Sequence, residues 1–590
     1  MRGLQEFIHW FEEGKGTKVI KTAAALLAFV LLAVAYDVRL FKNFSTQEAM
    51  DTAQLARNIA EGKGYTTDFV RPFSIYLLQK YRPDHDPLLK TPHPDLANPP
   101  AYPYLLAGLM KVVRFKFQIV DVSKRRFETY QPERVIAIFN QFLFFLAALL
   151  LYFLSRHLFD APVAALSVVL LVGNDMFWRF TVSGLPTMLL ITLFLAIVGL
   201  LVLLDEWTRS EVPHSRLRIV GAGIGLGLLL GVGALTRYSF GWLVLPVLLF
   251  VGLFGPRQKI LLTALVLVIF AACLAPWLAR NYRVSGTLFG TAGFAVFQNT
   301  SAFQDSTLER SLKPEENFKK VNFTELRRKL VIQAREILQT DLPRLGGSWL
   351  AAFFLVSLFI RFQRPALTHL KIFLIFTLVL LVTVGALGRT YLSADSPELN
   401  SENLLPMAVP LAFIFGSALF FIVLDQFAPT LREVRYAISS AFALVGCLPL
   451  IFNFMPPRTY PIAYPPYYPP VIQETASWLK DQEMMMSDMP WAVAWYGRRQ
   501  CAWITLNYKA DFFQIHDEMK PVKGLYLTTR TTDMRLVAQM IKDRDGWGRF
   551  VLESYSRGEV MTGFPLTRMY SSWLPEQLFL TDWERWRGAK

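Results

Sequence analysis

Eleven mostly apolar stretches, joined by polar loops, constrain this chain more than any other feature. They fall at 20–36, 135–154, 161–174, 185–204, 219–235, 240–254, 260–277, 348–360, 372–387, 406–424 and 436–453. A bilayer core takes about 20 such residues per helix, and inside lipid only helices and closed barrels satisfy their own backbone. The pattern therefore predicts a polytopic α-helical membrane protein. Charged residues are only 18% of the chain, against roughly 25% in a soluble domain. The first stretch follows Glu12, Glu13, Lys15, Lys18 and Lys21 and has no small-x-small site before Asp37, so it reads as a retained span instead of a cleaved signal.

Basic residues set the expected orientation. With the N-terminus in the cytoplasm, the inside loops carry Arg156; Arg209, Arg216 and Arg218; Arg257 and Lys259; Arg361, Arg364 and Lys371; and Arg432 and Arg435. The short outside loops carry only Arg179, Arg237 and Arg389. An odd number of spans puts the C-terminus outside, and segments 37–134, 278–347 and 454–590 become extracytoplasmic. The domains read as a membrane domain over 1–455, a Pro/Tyr-rich linker over 456–470 and a small α/β domain over 471–590. In the last, the patterns predict helices at 471–483, 509–519 and 532–543 and strands at 491–496, 501–505, 523–528 and 549–554.

Several function classes are excluded. The net charge is +15 (61 − 46), but Lys and Arg are dispersed among the spans and form no basic stripe for nucleic acid. "GAGIGLGLLLGVG" (221–233) is apolar throughout, which suits close helix packing and not a phosphate loop. Cys273, Cys447 and Cys501 are too few and too scattered for a disulfide framework or a zinc site.

The first outside loop is the richest in chemistry. "FSTQEAMDTAQLARNIAEGKGYTT" (44–67) reads as a helix on the membrane surface. Ser45-x-x-Glu48 has capping-box spacing, Thr52, Leu55, Ala56 and Ile59 make an apolar stripe, and Gly62 and Gly64 end the helix. It carries two carboxylates one turn apart, Glu48 and Asp51. Each has a plainer reading, Glu48 as the cap and Asp51 as a solvated residue favoured by the helix dipole. Further on, Asp84, His85, Asp86, His93 and Asp95 have the ligand types of a divalent metal. Their irregular, Pro-rich spacing suits loop hydrogen bonding equally well. "NPPAYPYLLAGLMKVV" (98–113) reads as a proline-opened helix dipping into the interface. In the second outside segment, "FTELRRKLVIQAREILQ" (323–339) has an apolar face at Leu326, Leu330, Ala334 and Leu338 and reads as a surface-lying helix.

Taken together, the early span, the E-A-M-D-x-A-Q-x-A-R-N-x-A-x-G-x-G-Y helix (48–65), P-P-x-Y-P-Y-L-L-A (99–107), "LTRYSFGWLVLPVLL" (235–249) and "APWLARNYRVSGTLFGT" (275–291) resemble the GT-C glycosyltransferase superfamily. The branch is that of bacterial relatives of protein O-mannosyltransferases and aminoarabinose transferases, and the resemblance covers roughly residues 20–425. Two departures stand out: Gln47-Glu48 replaces the family's frequent Asp-Glu, and Glu402-Asn403 stands where a basic residue often precedes L-x-P.

The resemblance implies an inverting hexosyl- or pentosyltransferase in the bacterial inner membrane. The donor would be a sugar on a polyprenyl phosphate, and the acceptor a lipid, protein or glycan. Asp51 or Glu48 would be the base, and Arg237, Arg280 and Arg389, at outer span ends, would meet the donor phosphate. Snorkelling at the interface is the plainer reading of those arginines. No nucleotide is required. A transporter or lipid flippase, and a noncatalytic membrane assembly protein, are the competing readings.

Overall fold

The computed structural model describes residues 15–587 except 82–88, 90–91, 120–126, 128, 211–214, 345, 348, 398, 428–430, 456–466, 533–545, 559 and 572–576. All eleven apolar stretches are helical in it. Eight are long and apolar enough to cross a membrane: α1 (Lys15–Arg39), α3 (Gln131–Leu158), α4 (Thr187–Arg209), α5 (Arg216–Thr236), α6 (Lys259–Ser285), α8 (Pro365–Gly388), α9 (Val409–Gln426) and α10 (Arg432–Phe454). The shorter stretches behave differently. Ala161–Val172 continues into Asp175–Val182 after a 54° bend, α7 (Trp349–Phe359) follows Phe323–Arg344 after a 103° bend, and Tyr238–Phe254 is a short apolar helix. Asn174 explains the first break: its side chain accepts from the Met176 N–H and starts a new helix.

Small residues set how closely the spans pack. A Cβ on Gly227 of α5 would lie 2.7 Å from Ile269 Cβ and 3.0 Å from the Val266 carbonyl of α6, and one on Gly231 would lie 2.5 Å from Cys273 Cβ. The glycine run is thus a helix-packing seam, as its composition suggests. α9 is largely buried, whereas α1 and α10 expose most of their surface, as expected of lipid-facing helices. The first and last spans touch: Arg39 donates to the Phe454 carbonyl (3.3 Å) and the Tyr36 ring meets Phe454 edge-on.

The C-terminal α/β domain is built around a six-stranded sheet whose edge strand comes from elsewhere. Strands β1 (Thr66–Thr67) and β3 (His93–Pro94) pair antiparallel within the first loop, and β2 (Phe69–Val70) lies between them in the chain. β2 joins β4 (Met484–Ser487), β5 (Cys501–Trp503), β6 (Val522–Leu527), β7 (Arg568–Ser571) and β8 (Leu578–Thr581) in the order β2-β5-β4-β6-β8-β7. Phe69 pairs with Cys501 and Val70 with Ala502, both parallel.

Side chains reinforce this seam. Arg57, fully buried in α2 (Gln47–Ala60), donates to the carbonyls of Trp495 (2.8 Å) and Ala494 (2.9 Å) and pairs with Asp68 (3.1 Å). Glu133, at the start of α3, accepts from the Trp495 indole (2.8 Å), the Tyr496 hydroxyl (2.6 Å) and the Phe44 N–H (2.7 Å). Arg310 donates to the Ile504 and Thr505 carbonyls, each at 2.8 Å.

Several local expectations are corrected. Residues 491–496, read as a strand, form the helix Pro490–Ala492 and the wide turn Val493–Gly497. A short buried apolar run does not reveal its own period, and Pro490 opens the helix. Residues 549–554, also read as a strand, lie in the helix Trp547–Arg557, where Trp547, Phe550, Val551 and Ser554 are the buried positions at helical spacing. Strands β4, β7 and β8 were not foreseen. The expected surface helix is α2, but Gln54, Arg57 and Asn58 are buried along with Leu55 and Ala56. It is enclosed by protein, not laid on lipid.

Gly227→Leu forces α5 from α6 and should cost about 1–3 kcal/mol, the usual range for overpacking, read as a lower melting temperature of the detergent-solubilised protein. Gly221→Leu, where an added Cβ meets nothing within 4 Å, should leave it nearly unchanged.

Candidate functional site

Two carboxylates on α2 organise the centre, and the backbone delivers partners to each. The helix starts at Gln47 with no side-chain cap on its first turn, so the capping box does not form. Glu48 instead accepts from the Ser401 N–H (3.0 Å), the Ser401 hydroxyl (2.6 Å) and Arg237 (3.1 Å). Arg237 also donates to the Ser401 hydroxyl. It sits where α5 ends and the chain turns extended. Its Nε is buried and has no acceptor among the described residues.

Asp51 is not solvated. It accepts from Arg71 (2.6 Å), Asn98 (2.9 Å) and Gln54 (3.2 Å). The side chains differ in access: Asp51 is 2% exposed and Glu48 18%. Arg71 follows β2, and Pro72 opens the next helix, so the guanidinium is fixed over the Phe69 ring at 4.0 Å. Its other partner is Glu309, at 3.4 Å. Asn98 bridges Asp51 to Asp95 (3.0 Å), and Asp95 also accepts from the Ala97 N–H (3.0 Å).

Two buried carboxylates thus share one guanidinium, and a third, Asp95, is linked to them through Asn98. Burial pushes Asp95 above the ordinary carboxylate range and the Asp51 charge adds to this, while Arg71 opposes both. Burial likewise raises Glu309 against the pull of Arg71. Burial alone would lower Arg71, but Asp51 and Glu309 outweigh it and hold the guanidinium protonated.

The other expected site residues have separate partners. Arg280 lies between the Tyr65 and Trp277 rings (5.2 and 4.9 Å) and donates to the Asp95 carbonyl (2.7 Å). Its neighbours in the P-W-x-x-R-N segment, Trp277 and Asn281, both donate to the Tyr238 hydroxyl (2.7 and 3.3 Å), tying the two family-like motifs together. Arg389 pairs with Asp341 and with Glu336 (3.2 Å). Glu402 is buried and accepts from the Thr390 N–H (3.0 Å) and the Ser393 hydroxyl, so it holds the loop that follows α8.

His93 Nε2 lies 2.8 Å from the Ser74 hydroxyl. Asp84, His85 and Asp86 lie outside the described residues. Among the described residues no group of three or more His, Cys, Asp or Glu converges on a metal-sized site.

Arg71, Asn98, Glu309, Tyr391 and Ser401 escaped the sequence reading. Arg71-Pro72 was the one available signal, since proline restricts the residue before it. Tyr391 accepts from Gln47 (2.6 Å) and meets the Trp503 ring at 5.6 Å, which brings the end of β5 to the centre.

The helical bundle, the enclosed first-loop helix and the α/β domain docked on it make up a GT-C fold. Two solved structures share it. ArnT from Cupriavidus metallidurans bound to undecaprenyl phosphate superposes with a TM-score of 0.52 at 12% identity, over 95% of this chain and 98% of that one. The oligosaccharyltransferase of Archaeoglobus fulgidus, tethered to an acceptor peptide containing the NVT sequon, gives 0.51 at 11% identity, over 88% of this chain and 69% of that one. No protein-family model matches the sequence, and neither does any curated protein.

The buried carboxylates give a signed pH dependence. A carboxyl raised on folding contributes stability that is complete below its unfolded value and is lost as pH rises through the folded one. The stability that Asp95 and Glu309 contribute should therefore be lost, and the melting temperature fall, as pH rises above about 4. Glu309→Gln should flatten that slope, measured by differential scanning fluorimetry across the range.

Proposed function

We propose that the protein is an inverting glycosyltransferase that moves a sugar from a polyprenyl-phosphate donor to an acceptor at the outer face of a bacterial inner membrane. The observation that carries this is the arrangement on α2: a carboxylate–arginine pair, Glu48–Arg237 (3.1 Å), one helical turn from a second carboxylate, Asp51. It sits on a GT-C fold where the spans meet the α/β domain. A lipid-linked donor needs a site at this height.

In-line displacement separates the two ends of the reaction. The Arg237 side suits the donor phosphate, because the guanidinium-bearing side chain stays partly exposed beside Glu48. The Asp51 side suits the acceptor. The acceptor hydroxyl attacks the anomeric carbon, the bond from that carbon to the phosphate oxygen breaks, and the configuration inverts. The hydroxyl proton passes to Asp51, and the polyprenyl phosphate leaves with the bonding pair and one more negative charge, which the guanidinium offsets. Arg71 and Asn98 hold Asp51 in place, and Glu48 with Ser401 holds Arg237. Arg280 and Arg389, engaged by other acceptors, serve the scaffold in this reading. The acceptor is a lipid, protein or glycan.

Transfer from radiolabelled polyprenyl-phosphate sugars should fall about 100-fold or more in Asp51→Asn, the low end of a general base's contribution, and measurably in Glu48→Gln. Transfer that is unslowed in both variants overturns the site. Alkaline phosphatase fused after Lys590 should be active and, fused after Arg209, inactive; the reverse pattern overturns the orientation.

A further inference from the structure

Beside the centre, between the first loop and the α/β domain, lies a cleft of about 1210 Å³ that the reaction above does not use. Its inner wall includes Thr67 and His93, which face each other across the β1–β3 pair. Thr67 accepts a 2.6 Å hydrogen bond from Gln54, whose same amide reaches Asp51 at 3.2 Å. One side chain therefore separates the cleft from the proposed base. The cleft adjoins the acceptor side of α2, and the separation suits it to the body of an acceptor instead of its reacting hydroxyl.

The lining states what that body is made of. Amides (Gln118, Gln482, Gln500), hydroxyls and charged groups of both signs make up most of it, and Leu89, Phe117 and Ile119 are among its apolar part, a mixture that suits the hydroxyls and ring faces of a sugar chain better than an acyl chain. The volume exceeds the roughly 300–1,000 Å³ of a site for one small molecule, so several linked units fit.

Charge narrows it further. Lys63 and Arg498 share a single carboxylate, Glu61, at 2.8 and 2.6 Å. Arg499 pairs with the exposed Asp481 at 2.8 Å. Lys520 donates only to the neutral Gln500 amide (2.6 Å) and has no carboxylate within ion-pairing reach among the described residues. Half-buried, it is pulled below its ordinary value by the loss of water. On the other side of the balance, burial pushes Glu474 toward its neutral form. A ligand anion would supply Lys520 with the partner it lacks.

We infer that this cleft is an acceptor subsite for an acidic oligosaccharide, one bearing carboxylate or phosphate groups, with Lys520 and Arg499 meeting the acid and the glutamine amides meeting the hydroxyls. The inference rests on the transferase reading for the word acceptor, but its test is a binding measurement that needs no donor.

The test is calorimetric titration of the full-length protein in nanodiscs with an oligogalacturonate, a glucose phosphate oligomer, neutral maltohexaose and oligoglutamate. One or both acidic glycans should bind, more tightly than maltohexaose, and the one that binds reports carboxylate or phosphate as the acid. Lys520→Glu and Arg499→Glu should each weaken that binding at least tenfold. Gln118→Trp, at an exposed position on the first-loop side, should weaken it by narrowing the cleft, and Lys319→Glu, an exposed charge elsewhere, should leave it unchanged.

The inference is overturned by no binding of either acidic glycan, by binding indifferent to Lys520→Glu and Gln118→Trp in variants that melt like wild type, or by equal binding of oligoglutamate, which would make the cleft a peptide site. Asp51→Asn should bind the glycan normally, so loss of transfer and loss of the subsite are read separately.

Discussion

A buried guanidinium holds the two halves of this protein together. Arg57 stands inside α2 with no water to solvate it, and burial lowers its affinity for its proton. Its two Nη groups find acceptors only because the Val493–Gly497 turn aims two carbonyls at them and Asp68 lies alongside. A turn that leaves carbonyls free for a distant donor is one that does not continue as regular helix. The same segment places Trp495 and Tyr496 on Glu133. Removing one partner of such a network leaves a charge stranded in a dry place, which costs far more than the contact itself contributes. The α/β domain is therefore seated on the first loop by polar groups that have no other way to be satisfied.

That seating makes the centre. α2 is enclosed on the side that would otherwise face water, so Asp51, Asp95 and Glu309 are gathered around Arg71 in a low-dielectric pocket. Fixed dipoles and charges in such a place act without reorganising. The two carboxylates of α2 diverge in role because their surroundings differ: Ser401 and Arg237 come from the membrane domain to Glu48, while β2 and the loop after β3 bring Arg71 and Asn98 to Asp51.

Much of this was legible in the sequence, and the rest was not, for definable reasons. Apolar run length gave all eight long spans but counted three shorter or bent helices with them, and the glycine spacing gave the α5–α6 seam. Carboxylate spacing singled out Glu48 and Asp51, and the family-like motifs pointed to the fold. What they could not give is what long-range contacts decide. Ser45 and Glu48 have the spacing of a capping box, but Ser401 competes for the carboxylate and wins. The stripe Thr52, Leu55, Ala56 and Ile59 suggested one apolar face, and nothing local announces that Arg57 on another face has two carbonyls waiting in the last part of the chain. Likewise β2, two residues long, has no pattern of its own and exists because β5 is there.

The pairing of Phe69 with Cys501 also bears on how the chain matures. A ribosome adding roughly 5–20 residues per second delivers β5 tens of seconds after β2, and in that interval the first loop must wait with its strand unpaired and Arg57 unsatisfied. Biogenesis of this protein thus has a built-in vulnerable period, one that ends only when the segment synthesised last reaches the loop synthesised first.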